Sequence, residues 1–168
     1  YLKKKCDLII LSGGASTGEQ DYINLAVSEL GSLKVWKVSM KPGRPFGFGL
    51  INKNIPVIML PGNPVASFTT FQLFGKYLIN HMIGNKNYLQ IYFSVRSNFS
   101  MKKKLGREEY LRGKLFYKKG LPYVDKYKTQ GAGILNSLVW ANGFIRLKKN
   151  VKNVKKNDIL DFMPFNSF

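Results

Sequence analysis

Cysteine, histidine and acid are all scarce in this chain, and each scarcity narrows what it can be. The single cysteine among 168 residues, Cys6, cannot form an internal disulfide, so a reducing, cytoplasmic setting is expected. No base stands beside Cys6 in the sequence, and it reads as a plain strand-flanking residue rather than a nucleophile. The one histidine, His81, lies far from every motif below and is expected on a helix surface or in a core. Long apolar runs are missing too. No stretch approaches the roughly 20 residues of a membrane span, and the apolar run behind the basic start Tyr1-Leu-Lys-Lys-Lys5 is only about five residues, short of the roughly 7–15 of a secretory signal. Neither a membrane partner nor a signal peptide is expected. There is no internal repeat and no heptad pattern.

Acidic residues number nine against 27 Lys and Arg, for a net charge of +18. So lopsided a balance invites a nucleic-acid reading. Against it, the lysines are spread along the chain and often sit beside asparagine, as in Asn85-Lys-Asn87, Lys149-Asn150 and Lys155-Lys-Asn157, which reads as compositional bias rather than a patch. The expected consequence is weak, salt-dependent attraction for anions, with no specific nucleic-acid partner.

With 45% hydrophobic residues the chain is globular and long enough for one ordinary domain or two small ones. Its most informative stretch is Ser12-Gly-Gly-Ala-Ser-Thr-Gly-Glu-Gln-Asp21, which follows the apolar run Leu8-Ile-Ile-Leu11 and precedes a helical pattern. A glycine-rich strand-to-helix turn lets the backbone approach a ligand and leaves N–H groups free for an anion, with a phosphate as the expected guest. A tight βα turn without a ligand has the same appearance. The chain starts on Tyr1 and reaches this strand within seven residues, whereas a strand feeding a phosphate loop normally has neighbours on both sides. The sequence is therefore expected to be the C-terminal part of a longer protein.

Ile23, Ala26, Val27 and Leu30 recur at helical spacing and Gly31 supplies a stop. Three β-leaning runs follow, Leu33–Met40, Phe46–Leu50 and Ile55–Leu60, the last ending in Pro61-Gly-Asn-Pro64. Val65, Phe68, Phe71, Phe74, Leu78 and Met82 then mark one long, largely buried helix up to about Gly84. Beyond it the period changes to two at Leu89, Ile91, Phe93 and Val95, with further strands near 109–117, 121–128, 143–148 and 158–163 and no convincing helical segment. The reading is an α/β unit over 1–86 followed by a small all-β unit over 87–168.

Alternation along 33–41 puts Lys37, Ser39 and Lys41 on one strand face, either a solvated face or a ligand face. The stiff continuation Lys41-Pro-Gly-Arg-Pro45 adds a cation where α/β sheets present ligand groups. In Pro61-Gly-Asn-Pro64, Asn63 can cap and Pro64 suits the first helical position, which gives either a plain cap or a second anion-competent terminus converging with the first. Asp21 either stabilises a helix start through the dipole or contacts Mg²⁺ or substrate. Arg112 is able to reach an anion bidentately, while Arg107 is expected in a surface ion pair.

Together, Ser12-Gly-Gly-x-Ser-x-Gly-x-x-Asp21, Trp36-Lys37 with Met40-Lys-Pro-Gly-Arg-Pro-Phe46, Pro61-Gly-Asn-Pro64, Gly106-Arg-Glu-Glu-Tyr-Leu-Arg112, Gln130-Gly-x-Gly133, Leu135-Asn-Ser-Leu138 and Ala141-Asn-Gly143 resemble the molybdopterin molybdenumtransferases, the MoeA proteins of bacteria and their animal relative, the E domain of gephyrin. The resemblance runs along nearly the whole chain, in order. It implies a three-layer α/β pterin-binding domain with a mostly parallel sheet, of the MogA/MoaB kind and incomplete at its N-terminus, followed by a small all-β C-terminal domain. It implies that molybdate, or its tungsten analogue, reacts with adenylylated molybdopterin, the dithiolene sulfurs taking the metal and AMP leaving.

By the same resemblance, Ser12, Gly13, Gly14, Ser16 and Gly18 with Pro61, Gly62, Asn63 and Pro64 would hold the pterin substrate. Asp21, Lys37, Lys41 and Arg112 would act in catalysis, and Asp21 would bind Mg²⁺. Substrates and reacting groups are all negative, so preorganised cations have a clear task. Ala132 stands where relatives often carry serine. The family works as a homodimer with N-terminal parts beyond this sequence, so this chain alone is expected to turn over little; molybdopterin adenylyltransferase is a possible partner. Three rival readings remain: a molybdopterin adenylyltransferase, a non-catalytic gephyrin-like scaffold and, weakest because no recognised fold signature supports it, a nucleic-acid module.

Overall fold

The computed structural model describes residues 6–13 and 22–165. A first sheet is built from β1 (Ile9–Ser12), β2 (Gly31–Trp36), β4 (Gly47–Ile51) and β5 (Ile55–Leu60) in the spatial order β1-β5-β4-β2. Only β1 and β5 run parallel; β4 is antiparallel to both β5 and β2. Among the described strands the sheet is therefore mixed rather than mostly parallel. The physical reason is connection length: Asn52-Lys-Asn54 joins β4 to β5 as a tight turn, and a parallel pair needs a longer crossover.

Two helical layers flank this sheet, as the parity of β5 requires. Val57 and Met59 face α1 (Tyr22–Leu30) through Val27, while Ile58 and Leu60 face Phe71, Phe74 and Leu78 on the other side. Val27 is the only buried residue of α1, so the stripe of Ile23, Ala26 and Leu30 covers less than its spacing suggests. The second helical layer is continuous but not uniform: α2 (Pro64–Thr70), a π-helical turn (Phe71–Gly75) and α3 (Lys76–Met82). A π turn displaces backbone acceptors from their usual donors. Here the Gln90 side chain donates to the carbonyls of Gln72 and Leu73 and meets that need. The extra residue also lets the helix serve two cores, with Leu73 turned to the second half of the chain, Phe71 to the first and Phe74 packed against both.

The second half is a small closed barrel. Its strands are β6 (Phe93–Ser97), β8 (Glu108–Lys118), β9 (Leu121–Lys126), β10 (Gly143–Leu147) and β12 (Ile159–Pro164), paired in the cycle β10-β12-β6-β9-β8 with β8 closing back onto β10. The alternating pattern places Val95, Leu111, Val124, Ile145, Leu147, Leu160 and Phe162 inside the barrel. Their neighbours of opposite parity, Tyr110, Phe144 and Met163, turn outward and pack against Leu73 of the helix and Met40. Residues 89–92, expected in a strand, precede β6 instead, and Leu89 and Ile91 are exposed. One short helix, α4 (Asn136–Trp140), interrupts what the pattern presented as all strand. A two-stranded ribbon of β7 (Met101–Lys102) and β11 (Asn153–Val154) stands apart from the barrel. No helix among the described residues is long and apolar enough to cross a membrane.

Candidate functional site

One excursion of chain joins the halves. The expected strand 33–41 stops at Trp36, because Lys37 adopts a left-handed φ of 67° that no strand continues. The excursion then closes on itself through Lys37 N–H to Phe46 O (3.0 Å) and Val38 N–H to Arg44 O (2.9 Å). Its tip, β3 (Met40–Lys41), leaves the first sheet and pairs in parallel with Glu108 and Glu109 of β8. Lys37 and Lys41 thus do not share a strand face. The turn after Lys41 is pinned to α2 at Gly43, where φ is 110° and a Cβ would sit 2.4 Å from Thr70 Cγ2.

The ends of β1 and β5 meet beside this excursion. Gly13 N–H donates to Leu60 O (3.2 Å), and a Cβ on Gly62 would lie 3.4 Å from Gly13 Cα, so the two glycine turns touch. Ser12 and Ser67 hydroxyls stand 3.5 Å apart at the same edge. The ends of β1 and β5 therefore converge at Gly13 and Gly62, while the rest of the first glycine turn lies outside the described residues. Gly14, Ser16, Gly18 and Asp21 lie outside them. Asn63 occupies the N-cap position of α2 with Pro64 first in the helix, but its side chain makes no capping bond; the helix instead offers Val65 N–H to Ala132 O (3.3 Å).

That last contact brings in the second half of the chain. Gln130 accepts from Arg112 N–H (3.0 Å) and donates to Tyr127 O (2.9 Å), while the Arg112 guanidinium donates from Nη2 to Gly131 O (3.0 Å) and from Nε to Ser137 Oγ (3.0 Å). Ser137 Oγ donates in turn to Ile134 O (2.6 Å). Arg112 is 1% exposed, and burial pulls its guanidinium down to about 10. It stands behind the Gln130–Ala132 loop and fixes it, rather than lining the cavity itself.

Two adjoining cavities result. The larger, about 480 Å³, is walled by Met40–Pro45, Pro61, Asn63, Ala66, Arg107 and Gln130–Ala132. The other, about 470 Å³, is walled by Lys37–Met40, Arg44 and Leu105–Arg107. Both volumes suit a small organic ligand. Met40, Arg44 and Arg107 belong to both. Among the described residues, four cations, Lys37, Lys41, Arg44 and Arg107, line the pair and no carboxylate does. Glu109, buried behind the wall, has an oxygen 4.0 Å from Lys41 Nζ.

Arg107 was expected in a surface ion pair, but its neighbouring acids are committed elsewhere. Glu108 takes Arg146 and the Tyr110 hydroxyl, Glu109 faces Lys41, and Arg107 pairs with no acid among the described residues. Its loop is held by Ser39 Oγ donating to Gly106 O (3.1 Å) and by Lys103 Nζ donating to Arg107 O (2.9 Å). Of the sequence-predicted residues, then, Lys41, Pro61 and Asn63 line one cavity and Lys37 the other. Ser12, Gly13, Gly62 and Pro64 gather at the adjoining turns. Arg107 and Gln130 are the residues whose place the sequence concealed, since long-range contacts, the pairing of β3 with β8 and the Val65–Ala132 bond, carry their loops to the site. No group of three or more His, Cys, Asp or Glu side chains that could hold a metal stands together among the described residues.

The chain resembles known proteins along the same lines. Residues 1–81 match the family described as "Probable molybdopterin binding domain", and residues 94–165 match "MoeA C-terminal region (domain IV)". A molybdopterin molybdenumtransferase of Haemophilus influenzae is 34% identical over 168 residues, covering 98% of this chain and 41% of that protein. One from a Nostoc species is 33% identical over 79% of this chain and 31% of its own length. A solved structure of the molybdopterin biosynthesis MoeA protein of Pyrococcus horikoshii superposes with a TM-score of 0.76 at 25% identity, over 99% of this chain and 39% of that one. The chain thus spans about two-fifths or less of each of these three proteins. Carrying both regions in order, with the three-layer unit followed by the barrel, the chain belongs to the MoeA family, of which it holds the C-terminal part.

Proposed function

We propose that this chain forms the cationic half of a molybdenum-inserting site in molybdenum cofactor synthesis, acting on adenylylated molybdopterin and molybdate. The observation that carries the reading is the pair of cavities lined by the four cations Lys37, Lys41, Arg44 and Arg107, with no carboxylate among the described lining residues, set beside the touching turns of β1 and β5. Molybdate, the phosphates and the dithiolate repel one another. Fixed cations offset that repulsion before the reaction begins, so no reorganisation is needed when charge shifts. In the step itself two Mo–S bonds form as two Mo–O bonds break, the freed oxygens leaving as two waters with four protons from solvent. One of these waters is consumed in cleaving the phosphoanhydride, AMP departs, and molybdenum stays at the same oxidation state.

Lys41 and Arg107 are assigned to the oxyanion and phosphates in the larger cavity, and Ser12, Gly13 and Pro61–Pro64 to the pterin side. Arg112 acts as a positioning residue through Gly131. Mg²⁺ at Asp21 accompanies the reading as a proposal resting on the family resemblance, as do a homodimer of the full-length protein and a cytoplasmic location. The deciding measurement is molybdate-dependent AMP release from adenylylated molybdopterin by the full-length protein. Removal of Lys41 (Lys41→Ala) is expected to lower it by about 10²–10³-fold, as for loss of one preorganised electrostatic contact. A folded protein that binds the nucleotide yet releases no AMP would instead support the scaffold reading, which retains the fold and not the chemistry.

A further inference from the structure

Residues 100–107 and 148–157 contain nine of the 27 Lys and Arg and not one Asp or Glu, while the other 150 residues share 18 basic and all nine acidic side chains. In the sequence these two segments are far apart. The fold zips them together: Asn153 pairs with Lys102 and Val154 with Met101 in the β7–β11 ribbon. Lys103 N–H donates to Lys152 O (2.8 Å), Gly106 N–H to Lys149 O (3.1 Å) and Lys156 N–H to Ser100 Oγ (3.0 Å). Three of the nine cations are committed. Lys103 is buried and spends its ammonium on two carbonyls, Lys148 pairs with Asp161 at 3.4 Å, and Arg107 lines the cavities. The remaining six, Lys102, Lys104, Lys149, Lys152, Lys155 and Lys156, are exposed and make no ion pair among the described residues.

We propose that this ribbon and its flanking turns are a docking face for the phosphodiester backbone of a nucleic acid, bound without reading its sequence. Charge complementarity is the first argument: such a concentration of unpaired cations repels itself unless a polyanion neutralises it. Its chemistry is the second. All six free cations are lysines, point charges suited to single phosphate oxygens, whereas base readout favours the planar fork of arginine. An anionic membrane would call for a broad face, with more apolar anchors than the single exposed Leu105 that these segments offer. The face adjoins the cavities through residues 103–107 but stands independently of the catalytic reading.

The test is fluorescence anisotropy of labelled single-stranded and duplex oligonucleotides titrated with the protein at several salt concentrations. Contact with about four to six phosphates predicts a log–log salt slope of about −4 to −5 for the duplex and about −3 to −4 for the single strand, and the larger affinity identifies the form preferred. The combined variant Lys102→Gln, Lys149→Gln, Lys152→Gln, Lys155→Gln is expected to bind at least tenfold more weakly at about 0.1 M salt, with a slope shallower by about 3. A control variant, Lys34→Gln, Lys86→Gln, Lys118→Gln, Lys128→Gln, loses the same charge elsewhere and is expected to bind like the unaltered protein. Thermal unfolding checks both. If the first melts early, the four single substitutions replace it, each expected to reduce the slope by about 1. Equal loss in both variants would overturn the proposal in favour of net charge alone. Tighter binding to vesicles of anionic phospholipid than to either oligonucleotide would overturn it in favour of a membrane.

Discussion

The two sheets are built from similar residues and held in opposite ways. The first is open: β1 and β2 stand at its edges, and α1 covers it with a single buried side chain. The second is closed, so every barrel strand has a partner on each side, and Val95, Val124, Ile145, Leu147 and Phe162 are 0–1% exposed within it. A barrel has no edge to satisfy and completes its own core, whereas an open sheet depends on whatever covers its flanks. The site uses both properties. Its glycine turns come from the open sheet, where two strands end side by side, and its back wall comes from the barrel through Arg112 and Gln130.

The largest break in this comparison should come from matched truncations. Phe162→Ala removes a ring 1% exposed at the barrel centre and is expected to cost about 3–5 kcal/mol, whereas Ile23→Ala on half-buried α1 should cost only about 1 kcal/mol. Urea unfolding of the two variants measures both. Similar losses would mean that the open unit is held as tightly as the barrel.

A smaller effect should follow from Arg112→Met. The substitution leaves Gly131 O and Ser137 Oγ without their donor, which costs about 1–3 kcal/mol each, but it also removes a guanidinium whose burial already favours the neutral form. Because Arg112 stays charged at neutral pH, the opposing term is the desolvation of its buried charge, and the net loss should be about 1–2 kcal/mol. Faster hydrogen exchange at Gly131–Ile134, with β6 unchanged, would place the role in the loop. Arg112→Lys should not rescue it, because an ammonium cannot span both acceptors. Exchange that rises equally around the barrel would make Arg112 a general core residue instead.

How much of this was legible beforehand depends on whether the cause was local. The glycine turn after β1, the helix after Pro64 and the barrel strands from residue 108 onward follow from hydrophobic period and turn chemistry, both of which act over a few residues. The excursion at Lys37–Phe46 was not legible as such. Alternation through Trp36, Val38 and Met40 mimics one strand, yet Val38 and Met40 pack into clusters shared with the helix, and a left-handed Lys37 redirects the chain. The cationic ribbon escaped for the same reason: lysines that look scattered in sequence become neighbours only when β7 pairs with β11. The cavity cations divide the same way, since Lys37 and Lys41 sit in a recognisable motif while Arg107 arrives through long-range pairing.

The smallest effect sharpens the comparison by asking what acid does to the barrel alone. Glu108 on β8 accepts from Arg146 on β10 and from the Tyr110 hydroxyl at 2.9 Å. Burial pushes its carboxyl up, but those two donors together outweigh burial and hold it below the ordinary 4.5. At neutral pH the carboxylate is ionised in both folded and unfolded chains, and its full contribution to stability is present. As pH falls below 4.5 the unfolded chain takes up the proton first, so the contribution declines and is gone once the folded pKa is passed. The pair is partly exposed, so about 1 kcal/mol or less is at stake. Comparing Glu108→Gln with the unaltered protein by urea unfolding across pH should show a constant difference above about pH 5 that closes below it. A difference that persists at low pH would assign the contribution to the hydrogen bonds, which glutamine partly keeps, rather than to the charge, and acid would then leave the barrel the firmer of the two halves.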